Sequence, residues 1–188
     1  MKTNIILLLA VSLMATFANA QDGSDSKMPE MQMPKPTKEH EILKKDLGTW
    51  EAEVQVWMSP TGEPMKSKGV ETVKMMGEFW TISHLDYEFM GQKVQGHGLM
   101  GYDPKMKKYT GTWHDSLTPW PARMTGTYDA EKKTMTYMMR GKGMTGVDET
   151  SKIVISYPDD KTKTFELFSA VPGSDKMIKT VRMDYKKK

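Results

Sequence analysis

The sequence of 188 residues contains no cysteine. This absence excludes disulfides, thiol nucleophiles and any zinc or iron–sulfur site built on cysteine. It also excludes acylation of a cysteine at a signal cleavage site, the modification that anchors bacterial lipoproteins. The fold must therefore be held together by burial of apolar side chains alone.

The sequence also lacks a strong excess of charge and lacks long apolar runs beyond its first twenty residues. Lysine and arginine number 27 against 24 aspartate and glutamate residues, which gives a formal net charge of +3. A nucleic-acid-binding protein needs a clustered basic face, and this balance provides none. The sequence predicts neither a nucleic-acid partner nor a membrane span, and it carries no signal of oligomeric state.

Residues 1–20 have the pattern of a secretory signal peptide. Lys2 precedes an apolar run from Ile5 to Phe17, and Ala18-Asn19-Ala20 has the small residues that precede signal cleavage. The run is shorter than the roughly 20 residues that a spanning helix needs. Cleavage after Ala20 is therefore favoured over a membrane anchor. We expect a soluble protein that is periplasmic or secreted.

The remaining chain divides into a linker and one domain. Residues 21–36 contain three prolines among glycine, serine, aspartate and lysine, without apolar periodicity, and are predicted to be a disordered linker. Residues 37–188 are long enough for one domain with a sizeable core. This domain opens with a short helix over Thr37–Leu47, in which Thr37 is the N-cap and Gly48 ends the helix.

The rest of the domain has the alternating pattern of β-strands. Trp50, Ala52, Val54 and Val56 alternate with polar residues, a period of two that is typical of a strand with one buried face. Similar patterns predict nine further strands at Gly69–Met76, Phe79–Tyr87, Lys93–Tyr102, Tyr109–Asp115, Arg123–Tyr128, Thr134–Arg140, Ser151–Ser156, Thr164–Ala170 and Met177–Tyr185. The prediction is thus an all-β domain of about ten strands with one short N-terminal helix.

A weak internal repeat indicates how these strands connect. Tyr102-Asp103, Tyr128-Asp129 and Tyr157-Pro158-Asp159 each end one strand and begin a lysine-bearing loop before the next. Such connections are typical of hairpins between neighbouring antiparallel strands. A long meander leaves two open edges, and closure into an up-and-down barrel removes both. A two-sheet sandwich fits the same spacing and is the alternative.

Several motifs resemble those of a bacterial family known only as domain of unknown function 1579. The resemblance runs in order from Pro36 to Tyr185 and rests on Glu39-His40, Gly48-Thr49-Trp50-Glu51, Glu63-Pro64-Met65-Lys66-Ser67, Gly96-x-Gly98, Gly101-Tyr102-Asp103, Trp113-x-Asp115-Ser116, Gly126-Thr127-Tyr128-Asp129 and Thr164-Phe165-Glu166. It implies a calycin-like, that is lipocalin-like, β-barrel. It implies no function.

Two features of the predicted interior leave alternatives open. Trp113 and Asp115 share one strand face, so an interior carboxylate would need a partner, and Arg140 or Arg123 is available. Asp115 would then be either half of a structural ion pair or a polar anchor for a ligand. Gly96 and Gly98 also share a face, where either another group packs or a cavity opens.

The predicted function is binding of a small apolar or amphipathic ligand inside the barrel. The predicted cavity-lining residues are Trp50, Trp80, Gly96, Gly98, Met100, Trp113, Asp115 and Arg140. No catalytic residue and no cofactor are predicted. The adjacent residues His114, Asp115 and Ser116 point to alternate faces of a strand and cannot form a relay, so we do not predict an enzyme.

Two alternatives to interior ligand binding remain. Met28, Met31 and Met33 in the linker have the spacing with which thioethers wrap Cu(I), which favours a soft-metal site. The other alternative is an interaction module that binds no ligand. His84, His97 and His114 are far apart in sequence, without the i+2 or i+4 spacing of a zinc site, and no metal site is predicted there.

Overall fold

The structure of the protein, a computed structural model, describes residues 33–171 and 173–188. The predicted signal peptide and most of the predicted linker lie outside the described residues. Residues 33–37 have no regular secondary structure. From Lys38 onward most of the described residues belong to a short helical segment or to a strand, and the rest form the turns and loops between them.

The N-terminal helix is shorter than predicted. Helix α1 spans Lys38–Leu43 and continues as a 3-10 turn over Lys44–Asp46. Thr37 is the N-cap, and its backbone N–H donates to Nδ1 of His40 at 2.9 Å. The turn tightens because the chain must become extended at Leu47. Among the residues that the structure describes, no helix is long and apolar enough to cross a bilayer.

Ten strands follow the helix, at the positions that the sequence predicts. Their bounds are β1 Gly48–Val56, β2 Met65–Met76, β3 Trp80–Phe89, β4 Gln92–Asp103, β5 Lys108–Asp115, β6 Ala122–Asp129, β7 Thr134–Lys142, β8 Asp148–Ser156, β9 Thr162–Ala170 and β10 Met177–Lys187. Some extend beyond the predicted bounds: β2 begins four residues before Gly69, because its pairing with β1 continues to Met65.

The strands form one closed antiparallel barrel. Each strand pairs with its neighbours in sequence, and β1 pairs with β10 to complete the circle. The predicted fold class is confirmed, and the sandwich alternative is wrong. Closure satisfies the backbone hydrogen bonds at what would otherwise be two free edges.

The repeated Tyr-Asp connections form three similar turns. In each turn one carboxylate oxygen, from Asp103, Asp129 or Asp159, accepts hydrogen bonds from the backbone N–H groups two and three residues later. Lys107 and Lys133 close two of these turns with positive φ values of 52° and 49°. The short aspartate side chain is suited to this contact, which explains why the motif recurs between strands.

Helix α1 covers one end of the barrel, which we call the closed end. Leu43 is buried in a core cluster with Tyr109 and Tyr137, and Tyr109 donates from its hydroxyl to the backbone oxygen of Glu39 at 3.1 Å. The His40 ring is buried and lies edge-on to Tyr102. The opposite end carries the connections after β1, β3, β5, β7 and β9, and we call it the open end.

Candidate functional site

Trp113 fills the space above the two glycines of β4. Its indole ring lies where a Cβ atom on Gly96 would stand, and within 3.4 Å of the position of a Cβ on Gly98. The strand register explains this contact, because Gly98 pairs with Trp113 and Gly96 pairs with Asp115. The two glycines therefore make room for an aromatic ring in the barrel interior, which was one of the two predicted alternatives.

Asp115 faces the interior, and its partners among the described residues are Trp113 and backbone N–H groups rather than an arginine. Its Oδ2 accepts a hydrogen bond from Nε1 of Trp113 at 3.1 Å. Its Oδ1 accepts from the backbone N–H groups of Leu117 and Thr118 at 2.9 and 3.1 Å. Within the described residues Asp115 forms no ion pair with Arg123 or Arg140. The carboxylate thus fixes the turn after β5 and the orientation of Trp113.

The open end of the barrel has a mouth of half-buried apolar side chains. These residues alternate with outward-facing ones, so their side chains point inward, yet water reaches each of them. The mouth consists of Val56, Tyr87, Trp113, Met139, Leu167 and Val181. Deeper residues such as Val54 and Leu85 are fully buried.

The mouth also carries a neutral hydroxyl group. Burial, and secondarily the charge of Asp115, raises the pKa of Tyr87 to about 12. The Tyr87 hydroxyl therefore stays protonated near neutral pH. It can donate one hydrogen bond and accept others, whereas the Asp115 carboxylate already accepts three.

Three of the predicted cavity residues lie away from the mouth. Trp50 faces inward at the closed end, where it is 1 % exposed and donates from Nε1 to the backbone oxygen of Asp46 at 2.8 Å. Trp80 lies on the outer face, where its ring covers Gly101 of the next strand. Arg140 is exposed on the outer face, opposite Arg123. Gly96, Gly98, Met100, Trp113 and Asp115 share the interior of neighbouring strands.

Sequence reasoning missed a buried charged cluster at the closed end. Lys163 is 4 % exposed, and its Nζ lies 2.9 Å from Asp46 Oδ1 and 3.0 Å from Glu71 Oε2. The same ammonium group lies over the rings of Trp50 and Tyr185. The signal was available, because Lys163 alternates with Phe165 and Leu167 and so had to face inward.

The three histidines that are distant in sequence form a row on the outer face. Strand register places His84 of β3 opposite His97 of β4, and His97 opposite His114 of β5. His84 Nδ1 lies 3.1 Å from His97 Nε2. Sequence reasoning judged these residues by linear spacing, whereas the two-residue turn at Met90-Gly91 in the structure sets this register.

A carboxylate extends the histidine row. Asp86 Oδ2 lies 2.8 Å from His84 Nε2, and Gln95 Nε2 donates to Asp86 Oδ1 at 3.0 Å. The hydrogen bond from Gln95, helped by the contact with His84, lowers the pKa of Asp86. Across the residues described, no group of three or more His, Asp or Glu side chains is already arranged around a metal position.

Of the three predicted Cu(I) ligands, the structure describes one. Met28 and Met31 lie outside the described residues. Met33 is described and is 75 % exposed. Binding of a soft metal by this segment stays a prediction.

Two depressions mark the outer surface. The larger, of about 500 Å³, lies against β2, β3 and β4 and borders Asp86 and Gln95 of the histidine row. The smaller, of about 240 Å³, lies beside α1 and is lined by Pro36, Glu41, Lys44, Met75, Gly77 and Glu78.

Comparison with known proteins identifies the family. The sequence profile of a family described as a protein of unknown function, DUF1579, matches residues 35–187, which include the helix and all ten strands. The chain belongs to this family. DUF1579 membership assigns no activity to the mouth or to the histidine row. No curated protein sequence matches the chain.

A solved structure shares the fold of this DUF1579 domain. The crystal structure of Rv2717c from M. tuberculosis is similar with a TM-score of 0.60 and 11% sequence identity, over 82% of this chain and 99% of that chain. At this identity the similarity extends to the fold alone. The mouth and the histidine row must therefore be interpreted from the residues of this chain.

Proposed function

We propose that this protein binds a small apolar or amphipathic molecule at the open end of its barrel. The observation that supports the proposal is the mouth itself, in which inward-facing apolar side chains stay partly exposed to water. Covering such surface is favourable by about 25 cal/mol per Å². In the part of the chain that the structure describes, α1 covers the other end of the barrel, and Leu43, Tyr109 and Tyr137 there are buried.

Trp113 sets the depth to which the proposed ligand can enter the mouth. The indole ring lies across Gly96 and Gly98 and is held by Asp115, so it forms the floor of the mouth. An apolar group packs against Leu167, Val181 and this floor. Because Asp115 already accepts three hydrogen bonds, the polar end of the ligand is expected to bind the Tyr87 hydroxyl. A short amphipathic molecule suits this shallow site better than a long chain.

The test is a titration followed by tryptophan fluorescence. Decanoate or an anilinonaphthalene sulfonate dye is added to the purified protein, and quenching or a wavelength shift of the emission from its five tryptophans reports binding. The substitution Leu167→Asn removes apolar contact at the mouth. A loss of roughly 1.5 kcal/mol of binding free energy is expected, which weakens binding about tenfold. Tyr87→Phe is expected to weaken the binding of decanoate more than it weakens the binding of the dye.

The matched control is Ile82→Asn. Ile82 is 42 % exposed on the outer face of β3, so the same loss of apolar surface occurs away from the mouth. Equal weakening by Ile82→Asn and Leu167→Asn would show non-specific adsorption and reject the proposal. Absence of binding by either probe, together with no molecule retained in native mass spectrometry of protein from its own host, would reject it as well.

The proposal places this binding protein outside the cytoplasm. It rests on the signal-like residues 1–20, with cleavage after Ala20. Mass spectrometry of the protein from a periplasmic or culture fraction is expected to find a chain that begins at Gln21. A chain that retains residues 1–20 in the cytoplasmic fraction would contradict export. It would not bear on ligand binding at the mouth.

A further inference from the structure

We propose that the outer face of β3, β4 and β5 binds a divalent transition-metal ion between His84 and His97, with His114 as a third ligand. This site is separate from the mouth, because the three histidines point away from the barrel interior. Its chemistry is that of an ion that prefers imidazole nitrogen, such as Zn²⁺ or Cu²⁺. The proposal does not depend on binding of a ligand at the mouth.

The two facing nitrogens of His84 and His97 have the separation of two ligands on one ion. His84 Nδ1 and His97 Nε2 are 3.1 Å apart, and their ring centroids are 4.5 Å apart. With metal–nitrogen bonds of about 2.0–2.1 Å, two ligands are separated by about 2.9 Å in a square and about 3.3 Å in a tetrahedron. An ion can therefore replace the shared proton once both rings tilt so that their lone pairs point at the ion.

Neighbouring polar groups hold the His84 ring in the orientation that a ligand needs. Asp86 Oδ2 is 2.8 Å from Nε2 of His84, so Nε2 carries the proton and Nδ1 presents its lone pair toward His97. Gln95 holds the other carboxylate oxygen of Asp86 at 3.0 Å. Metal-binding histidines commonly have a carboxylate on the second ring nitrogen, which fixes the tautomer and the ring orientation.

His114 stands next to this pair, on strand β5. It lies directly opposite His97 in the β4–β5 register, and directly paired residues have Cα atoms about 4.5–5.5 Å apart. Its side chain is exposed, and within the described part of the chain its ring makes no hydrogen bond or ion pair. A change of rotamer brings this ring toward the ion, and water completes the coordination.

The backbone beneath the site is rigid enough to hold it. His84, His97 and His114 stand on three adjacent strands of a closed barrel, each paired on both sides. Sites built on paired strands keep their ligand spacing better than sites on loops. The separation of His84 and His97 is thus set before the ion arrives.

The test is Zn²⁺ binding to the intact protein purified without a polyhistidine tag. Isothermal titration or competition with a fluorescent chelator is expected to show one ion per chain. His84→Gln and His97→Gln are each expected to weaken binding at least tenfold, and His114→Gln about tenfold. Mg²⁺, which prefers oxygen ligands, is expected not to compete.

The control variant is Glu88→Gln, which alters an outward carboxylate on the same strand β3. It is expected to leave the affinity unchanged. Nuclear magnetic resonance of the wild-type histidine rings gives a second readout that needs no variant, because Zn²⁺ should shift the resonances of His84 and His97 before that of His40.

Three results would overturn the proposal. The first is no Zn²⁺ binding by the wild-type protein. The second is equal affinity of the wild type and a folded His84→Gln/His97→Gln double variant. The third is a shift of the His40 resonance alone. Unchanged affinity of His114→Gln would reject the third ligand and leave a two-histidine site.

Discussion

At the scale of single residues, the interior is shaped by contacts between glycines and aromatic rings. Trp113 lies on Gly96 and Gly98, and Tyr137 lies against Gly126 in the same way. A side chain at Gly96 would meet the Trp113 ring, whereas one at Gly98 would first meet the Ser83 hydroxyl and one at Gly126 the backbone oxygen of Thr136 as well as the Tyr137 ring. The pair Gly96 and Gly98 is recognisable in the sequence, but the ring that covers it is known only from the register with β5.

Gly96→Ala tests this contact. The added methyl group meets the Trp113 ring, and overpacking of this kind is expected to lower the free energy of unfolding by about 1–3 kcal/mol. Urea denaturation measures the change. Gly62→Ala is the control, since a Cβ there finds its nearest neighbour at an ordinary 3.5 Å, and its effect should stay within about 0.5 kcal/mol.

Substitution of Trp113, the residue that contacts Gly96, provides a second test of the same contact. In a Trp113→Leu background the smaller side chain leaves space for the methyl group, so the cost of Gly96→Ala should fall by about 0.5 kcal/mol or more. Identical costs in both backgrounds would show that Trp113 is not the residue that restricts position 96.

At the scale of elements, the hairpin turns set which side chains become neighbours. The connection of β3 to β4 has two residues, Met90 and Gly91, both with positive φ, of 53° and 76°. Such a turn fixes the register of both strands and so places His84 beside His97. Strand positions were predictable from alternation alone, whereas this pairing needed the turn geometry as well.

Met90→Asn tests the strain in this turn. Met90 adopts a left-handed backbone conformation that asparagine tolerates better, and its side chain is 65% exposed. The substitution is expected to raise the free energy of unfolding by about 1 kcal/mol. Chemical denaturation checks this, with Met106→Asn as the control, since Met106 is an exposed turn residue without positive φ. Equal effects of the two substitutions would contradict the explanation.

At the scale of the whole molecule, the two ends of the barrel differ. The closed end holds the buried ammonium group of Lys163 between Asp46 and Glu71, under the 3-10 turn. The sequence pattern instead suggested an ion pair of Asp115 with an arginine at the other end. The difference follows from the docking of α1, which brings Asp46 over the barrel and excludes water there.

The buried tyrosines and Lys163 at the closed end predict that the free energy of unfolding falls at high pH. Burial raises the pKa values of Tyr137, Tyr157 and Tyr185 well above the ordinary value. Burial by itself would lower the pKa of Lys163, but Asp46 and Glu71 outweigh it and raise this pKa. A raised folded-state pKa means that stability is fully present below the unfolded value, near pH 10, and is lost as the pH rises further.

The measurement is urea denaturation at a series of pH values from 8 to about 11.5. Each buried tyrosine that stays protonated only in the folded state contributes a fall of about 1.4 kcal/mol per pH unit. Tyr137→Phe removes one such group, so its curve should fall less steeply by that amount. A wild-type curve that is flat up to pH 11.5 would contradict the expected linkage.

The sequence by itself determined the strands, the helix and their order along the chain. Local alternation, turn residues and the family motifs are properties of neighbouring residues, and these fix the secondary structure. Only the tertiary structure decided that Trp113 covers the two glycines, that Lys163 is buried with two carboxylates, and that His84, His97 and His114 stand in one row. These contacts join distant segments, because strand register and barrel closure depend on many pairings at once.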